Sequence, residues 1–350
     1  MREVEKSSDG DLSVSDSSNS IVQNKIKKKY IVAVIGTRGS GTSLCASMIH
    51  KLGIDMVSAE DLNKQNNGKT IWERQDLAEI HDDILGCFRK TADSLDALPA
   101  CWWREPKIST HKRKLAEYIE GLTKHGVWGF KNNRALSLFP LWHEITNKKN
   151  IPVKVVFCLR NPGDIAAILK KQEYIDPDFT KLLWLRSHAD FFQYNVLKRF
   201  LVLKYEDWFD GTLGNMRKLI DYLNIGASIP ANHLAQIFSE AVPPPFLSEN
   251  KSPYDYCSFI YKKLSEIDHN KNAYGEICNI FLNFSLFNNF YKNIYQQSLA
   301  HRICEDEQRQ NKFIIGNLKN KRFLLEIDIQ RLTEELHAAT EELDQLRARP

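Results

Sequence analysis

Six apolar or aromatic residues, Tyr30-Ile31-Val32-Ala33-Val34-Ile35, run without a break into Gly36-Thr37-Arg38-Gly39-Ser40-Gly41-Thr42-Ser43. A buried strand that stops at a glycine-punctuated turn and restarts as a helix constrains the fold more than any other stretch of this chain. The spacing is that of a phosphate-binding loop, G-x-x-x-x-G-K-[ST], with Thr42 standing where the phosphate-reaching lysine is usual. In such a loop the glycines Gly36, Gly39 and Gly41 allow close backbone approach. Several N–H groups then converge at the positive end of a helix. Ser40, Thr42 and Ser43 add hydroxyl donors and Arg38 adds charge. The plain alternative is a glycine-rich turn that binds nothing.

After this loop, β-rich runs alternate with helical patterns, which predicts an α/β fold with a central parallel sheet and helices on both faces. Strands are expected at 30–35, 127–131, 153–159 and 199–205. Helices are expected near 42–52, 73–88, 112–124, 163–172, 178–198, 214–224 and 231–240, with a proline-rich loop over 241–256 and aromatic-rich helical sequence over 257–300. The first 28 residues, rich in Ser and Asp, read as a disordered tail. The α/β domain is expected over 29–300.

The 350 residues are ample for a substantial core, and no apolar run approaches the length of a membrane span. Residues 1–24 lack the apolar stretch of a signal peptide. Seven dispersed cysteines suggest reduced thiols and a cytoplasmic protein. A formal charge of +4 is too slight a bias to imply a nucleic-acid partner.

Ligands of open parallel sheets sit beyond the carboxyl ends of the strands. Arg38, Lys131 and Arg160 all fall at such ends, a set that suits an anion with more than one phosphate-like group. A nucleotide triphosphatase would want Mg²⁺ held by an acid closing a neighbouring strand. Strand 153–159 closes in Arg160 instead, leaving Asp207 as the substitute. A P-loop kinase or ATPase is therefore disfavoured, and no metal is expected.

The motifs, taken in order, resemble the sulfotransferases that use 3′-phosphoadenosine 5′-phosphosulfate (PAPS), in particular the bacterial, carbohydrate-type branch. The resemblance rests on the loop 36–43, Trp72-Glu73, Trp128-Gly129-Phe130-Lys131, Arg160-Asn161-Pro162-Gly163-Asp164, Leu183-Trp184-Leu185-Arg186 and Tyr205-Glu206-Asp207. It spans roughly residues 30–225. PAPS needs no lysine for a γ-phosphate, so Thr42 fits the family pattern. The resemblance implies PAPS as co-substrate, a hydroxyl acceptor on a glycan, phosphate binding by the loop and Arg160, and a sulfuryl contact from Lys131.

Sulfuryl transfer also needs a base for the acceptor proton. Glu73 is the first candidate, against the alternative of a carboxylate that merely favours a helix start. Asp76 and His81 follow it on the same helix. The chain departs from the family at three places. Its loop arginine is one residue early at Arg38, Asn132-Asn133 replace Asp-Pro, and Ile168 stands where a serine completes the 3′-phosphate clamp. A nucleotide-binding scaffold without catalysis remains the competing class.

At the C-terminal end, Leu325, Ile329, Leu332, Leu336, Ala339, Leu343 and Leu346 step by alternating four and three residues. That is a coiled-coil seam, expected to self-associate within a helix over 305–350, the alternative being one long amphipathic helix folded onto the domain.

Overall fold

The computed structural model describes residues 29–63, 65, 66, 69, 70, 72–194 and 199–225, together with 234, 236, 237, 239, 256–267, 273–281 and 330. The expected tail, the proline-rich loop up to residue 255 and, apart from residue 330, the 305–350 helix lie outside them. In chain order the elements are β1 (Ile31–Ile35), α1 (Thr42–Lys51), α2 (Ala59–Asn63), the short hairpin β2 (Gln65–Asn66) and β3 (Lys69–Thr70), and α3 (Gln75–Gly86). There follow α4 (Ser109–Thr123), β4 (Trp128–Lys131), α5 (Ala135–Lys148), β5 (Val153–Leu159), α6 (Pro162–Glu173) and α7 (Pro177–Phe192). β6 (Leu201–Lys204), α8 (Gly214–Leu223) and α9 (Tyr256–Ser265) complete the set.

The main sheet has the order β4-β1-β5-β6 and every pairing is parallel. All four carboxyl ends therefore lie on one rim. Along β1, alternate residues serve opposite faces. Ile31, Ala33 and Ile35 pack with residues of α3–α7 and α9, while Val32 and Val34 pack with α1 and α8. The strand is buried throughout, which explains its continuous apolar sequence. The result is helix, sheet, helix: the three layers expected.

Two of the helices are started by side-chain caps. Asn161 caps α6 by accepting from the Gly163 amide, and Asp176 caps α7 by accepting from the amides of Asp178 and Phe179. A proline follows each cap, where a missing N–H costs nothing. No helix among the described residues is long and apolar enough to cross a membrane.

No helix is expected over 135–148, yet α5 is fourteen residues long. Pro140 lies inside it and cannot donate to the carbonyl four residues back. Burial of Leu136, Leu138, Phe139, Leu141, Trp142 and Ile145 outweighs that loss. Strand 199–205 is shorter than expected, with regular pairing confined to Leu201–Lys204.

β4 is an edge strand that the fold covers. Arg74, 3% exposed, donates from Nε to the Gly129 carbonyl at 3.1 Å and from Nη2 to Asp55 Oδ2 at 2.9 Å. The Gly129 amide in turn donates to the Asp55 carbonyl at 2.8 Å. A side chain at Gly129 would meet Met56 Sδ at 2.4 Å and the Val32 carbonyl at 2.9 Å, so glycine is required there. Trp72-Glu73-Arg74 is thereby fastened to the strand that carries Lys131.

Candidate active site

β1 delivers the chain into a turn in which the Ser40 amide donates to the Thr37 carbonyl at 3.1 Å. Gly39 and Gly41 have φ of 79° and 90°, the left-handed region that side chains resist. Gly41 also lies against the Tyr205 ring, where an added Cβ would stand 2.5 Å from Cδ2. At Gly36 a Cβ would fall 2.5 Å from Ser40 Oγ and 2.6 Å from the Cys158 carbonyl. All three glycines of the motif are thus demanded by geometry.

The helix that follows, α1, has no side-chain cap and no acid in its first turn. Its leading amides keep their donors for something else, at the positive end of the helix. Ser40 Oγ and Thr37 Oγ1 are buried, and neither has a hydrogen-bond partner among the described residues. Ser43 is exposed and Thr42 is buried. An anion with several acceptor oxygens fits this donor set.

Arg160 closes β5 beside the loop. It is 4% exposed, its Nη1 donates to the Gly39 carbonyl at 3.1 Å, and its guanidinium lies 3.7 Å from the centre of the Tyr205 ring. Desolvation depresses its pKa from the usual value, with Tyr205, Asp164 and Glu206 opposing. Arg38 turns elsewhere: it forms an ion pair with Glu173, the last residue of α6, and remains 44% exposed. Ile168, at the position where the family pattern has serine, is buried in α6.

The end of β4 carries the second cluster. Glu73 Oε1 accepts from Asn132 Nδ2 at 2.5 Å and from Arg134 Nη1 at 3.2 Å, while Oε2 lies 3.5 Å from Lys131 Nζ. The side chains of Lys131 and Glu73 are 15% and 14% exposed. Asn132 is fully buried, and its Oδ1 accepts from the Arg134 amide at 2.9 Å. Arg134 makes a two-pronged contact with Asp82 on α3, Nε to Oδ1 at 2.5 Å and Nη2 to Oδ2 at 2.7 Å. Arg134 therefore ties the turn after β4 to α3. The carboxylate of Glu73 is oriented on one oxygen and faces the lysine with the other.

Asn132 stands where the family pattern has an acid, and nothing in the sequence beyond its place after Lys131 marks it as the donor that orients Glu73. An aspartate here would set two carboxylates against each other.

The alternatives on α3 have structural work. His81 is fully buried and its Nε2 accepts from Trp142 Nε1 at 2.9 Å. Burial drives its pKa down to about 4. Asp76 Oδ1 accepts from the Leu77 amide and from the Tyr118 hydroxyl at 2.9 Å. Arg186 of the Leu-Trp-Leu-Arg motif pairs with Asp190 at 2.7 Å inside the core. Asp207 pairs with Lys204 at 3.1 Å. Five of the seven tryptophans (Trp102, Trp128, Trp142, Trp184 and Trp208) are core residues. Among the described residues no group of three or more His, Cys, Asp or Glu could hold a metal ion.

The buried imidazoles set a pH dependence. His81 and His188 both have folded-state values near 4, against about 6.5 when unfolded, with burial the leading cause in each. The unfolded chain binds the extra protons, so stability falls as pH drops through the window from about 6.5 to about 4. Urea unfolding across that window should show the fall. His81→Gln, which can still accept from Trp142 and cannot titrate, should flatten it; an unchanged slope would contradict this assignment.

No protein-family model matches this chain, and no curated protein matches it in sequence. Two sulfotransferases are among the solved structures to which this chain is similar. One is the sulfotransferase domain of the Synechococcus PCC 7002 olefin synthase, at 12% identity, covering 73% of this chain and 95% of that one with a TM-score of 0.34. The other is a sulfotransferase from Mycobacterium tuberculosis H37Rv, at 11% identity, 75% and 79% coverage and a TM-score of 0.33.

Proposed function

We propose that the chain is a PAPS-dependent sulfotransferase that moves a sulfuryl group to a hydroxyl acceptor. The observation that carries this reading is the pairing of two clusters on one rim. One is an uncapped helix start with buried, unpartnered hydroxyls, and the other is a Lys131–Glu73 pair oriented by Asn132. When bound, PAPS would supply an activated sulfuryl group on its 5′-phosphate. The loop amides with Ser40, Thr42 and Ser43 would hold the 5′ side, and Arg160 with the start of α6 the 3′-phosphate. Arg38 would join the phosphates only by leaving Glu173.

In this reading Lys131 neutralises charge as it grows on the bridging oxygen, an effect strongest in the transition state. Glu73 takes the acceptor proton on the oxygen that Asn132 leaves free. A glycan as acceptor rests on the resemblance of the motifs alone. The test is incubation with radiolabelled PAPS and a panel of hydroxyl acceptors. Label should pass to at least one acceptor in the wild type and far more slowly with Lys131→Ala. Equal transfer by the two proteins would remove Lys131 from the mechanism.

We further propose that the 325–346 seam drives self-association. Light scattering should give a larger mass for the full chain than for one ending near residue 304, in excess of the deleted residues. A monomeric mass for both would contradict it.

A further inference from the structure

We propose that Tyr261 of α9, a helix beyond the motif-bearing region, is a positioning residue for the anion site, acting through Glu206 on Arg160. The inference rests on the nucleotide reading above for its consequence, but the brace itself is read from contacts.

Two strand ends are joined side by side at this point. Directly after β6 stand Tyr205 and Glu206; directly after β5 stand Arg160 and Asn161. The first of each pair meet as ring and guanidinium, at 3.7 Å. The second of each pair meet as carboxylate and amide: Asn161 N donates to Glu206 Oε1 at 3.0 Å. The remaining oxygen, Glu206 Oε2, accepts from the Tyr261 hydroxyl at 2.9 Å. Asn161 also caps α6 through Gly163 N at 2.8 Å, and Arg160 reaches the Gly39 carbonyl of the loop. Thus a single phenol on α9 orients a carboxylate that holds the turn carrying Arg160, and Arg160 holds the loop.

The chemistry suits a permanent donor. Burial, then the negative charge of Glu206, Asp207 and Asp164, raises the Tyr261 pKa, so the hydroxyl keeps its proton. A hydrogen bond from a neutral donor to a carboxylate is among the stronger kind. Without it, the Asn161 amide is the remaining hydrogen bond to the Glu206 carboxylate, and that acceptor is held less firmly. A tyrosine that merely filled space would tolerate loss of its oxygen.

The experiment compares Tyr261→Phe, Arg160→Ala and the double variant by calorimetry with 3′-phosphoadenosine 5′-phosphate (PAP). Tyr261→Phe alone should weaken PAP binding by about five- to tenfold, less than the full worth of a hydrogen bond to a carboxylate because the effect reaches the ligand only through Glu206 and Arg160. In the Arg160→Ala background it should have about no further effect, because the group it positions is gone. Hydrogen exchange at the Asn161 amide reads the brace without any nucleotide, and should be faster in Tyr261→Phe than in wild type. The same loss of PAP affinity in both backgrounds, or unchanged exchange, overturns the proposal. Faster exchange together with a wild type that binds no PAP would leave the brace standing and overturn the nucleotide reading instead.

Discussion

Replacing Glu73 with Gln is expected to lower turnover by roughly 10²–10⁴-fold, the range for losing a positioned general base, with PAP affinity changed by less than about twofold. Gln keeps the length of the side chain and can still accept from Asn132 and Arg134 through its oxygen, so the turn after β4 stays in place. What it cannot do is take a proton. Lys131→Ala should show the same pattern for a different reason. Its charge acts on oxygen atoms whose negative charge grows only as the S–O bond breaks, so its loss leaves ground-state binding near wild type. Initial rates with the accepted hydroxyl compound, paired with PAP calorimetry, separate the two effects. Normal turnover in Glu73→Gln would move the base to another group, and the buried His81 and the engaged Asp76 are poor successors.

The second large effect is on binding. Gly41→Ala is expected to weaken PAP by roughly 5- to 150-fold, from about 1–3 kcal/mol of strain. Two costs coincide at this residue: a φ of 90° and a Cβ placed 2.5 Å from the Tyr205 ring. Relief requires the ring or the loop to move, and the Arg160 guanidinium rests on that ring. Gly86→Ala is the control, since a Cβ there meets nothing within 4 Å. Unfolding in urea identifies any general loss of stability. A Gly41→Ala protein that binds PAP as well as Gly86→Ala does would show that the loop is not the anion site.

Much of the fold is legible in the sequence because its signals are local. A continuous apolar run marks β1, a glycine every few residues marks the turn, and Asn161-Pro162 and Asp176-Pro177 announce the starts of α6 and α7. Helix α5 is hidden by the opposite circumstance. Its proline argues against a helix, and the burial that overrides it is a tertiary effect. The site divides in the same way. Gly36, Gly39 and Gly41 can be named from spacing, because their constraint is backbone conformation. The partners of the charged residues cannot. Nothing in the order of residues says that Arg38 meets Glu173, that Arg160 rests on Tyr205, or that Asn132 orients Glu73. Each pair is separated by tens of residues and is created by the sheet order. Tyr261 carries no motif at all, and only the carboxylate it meets gives it a role.

In the proposed function the rim binds a nucleotide carrying phosphates at both the 3′ and 5′ positions and needs no γ-phosphate or metal. The most direct measurement is calorimetric titration with PAP in the presence of a chelator, alongside ATP with Mg²⁺. PAP is expected to bind saturably without metal, and more tightly than ATP·Mg²⁺. No heat with PAP, or tighter binding of ATP·Mg²⁺, would contradict it.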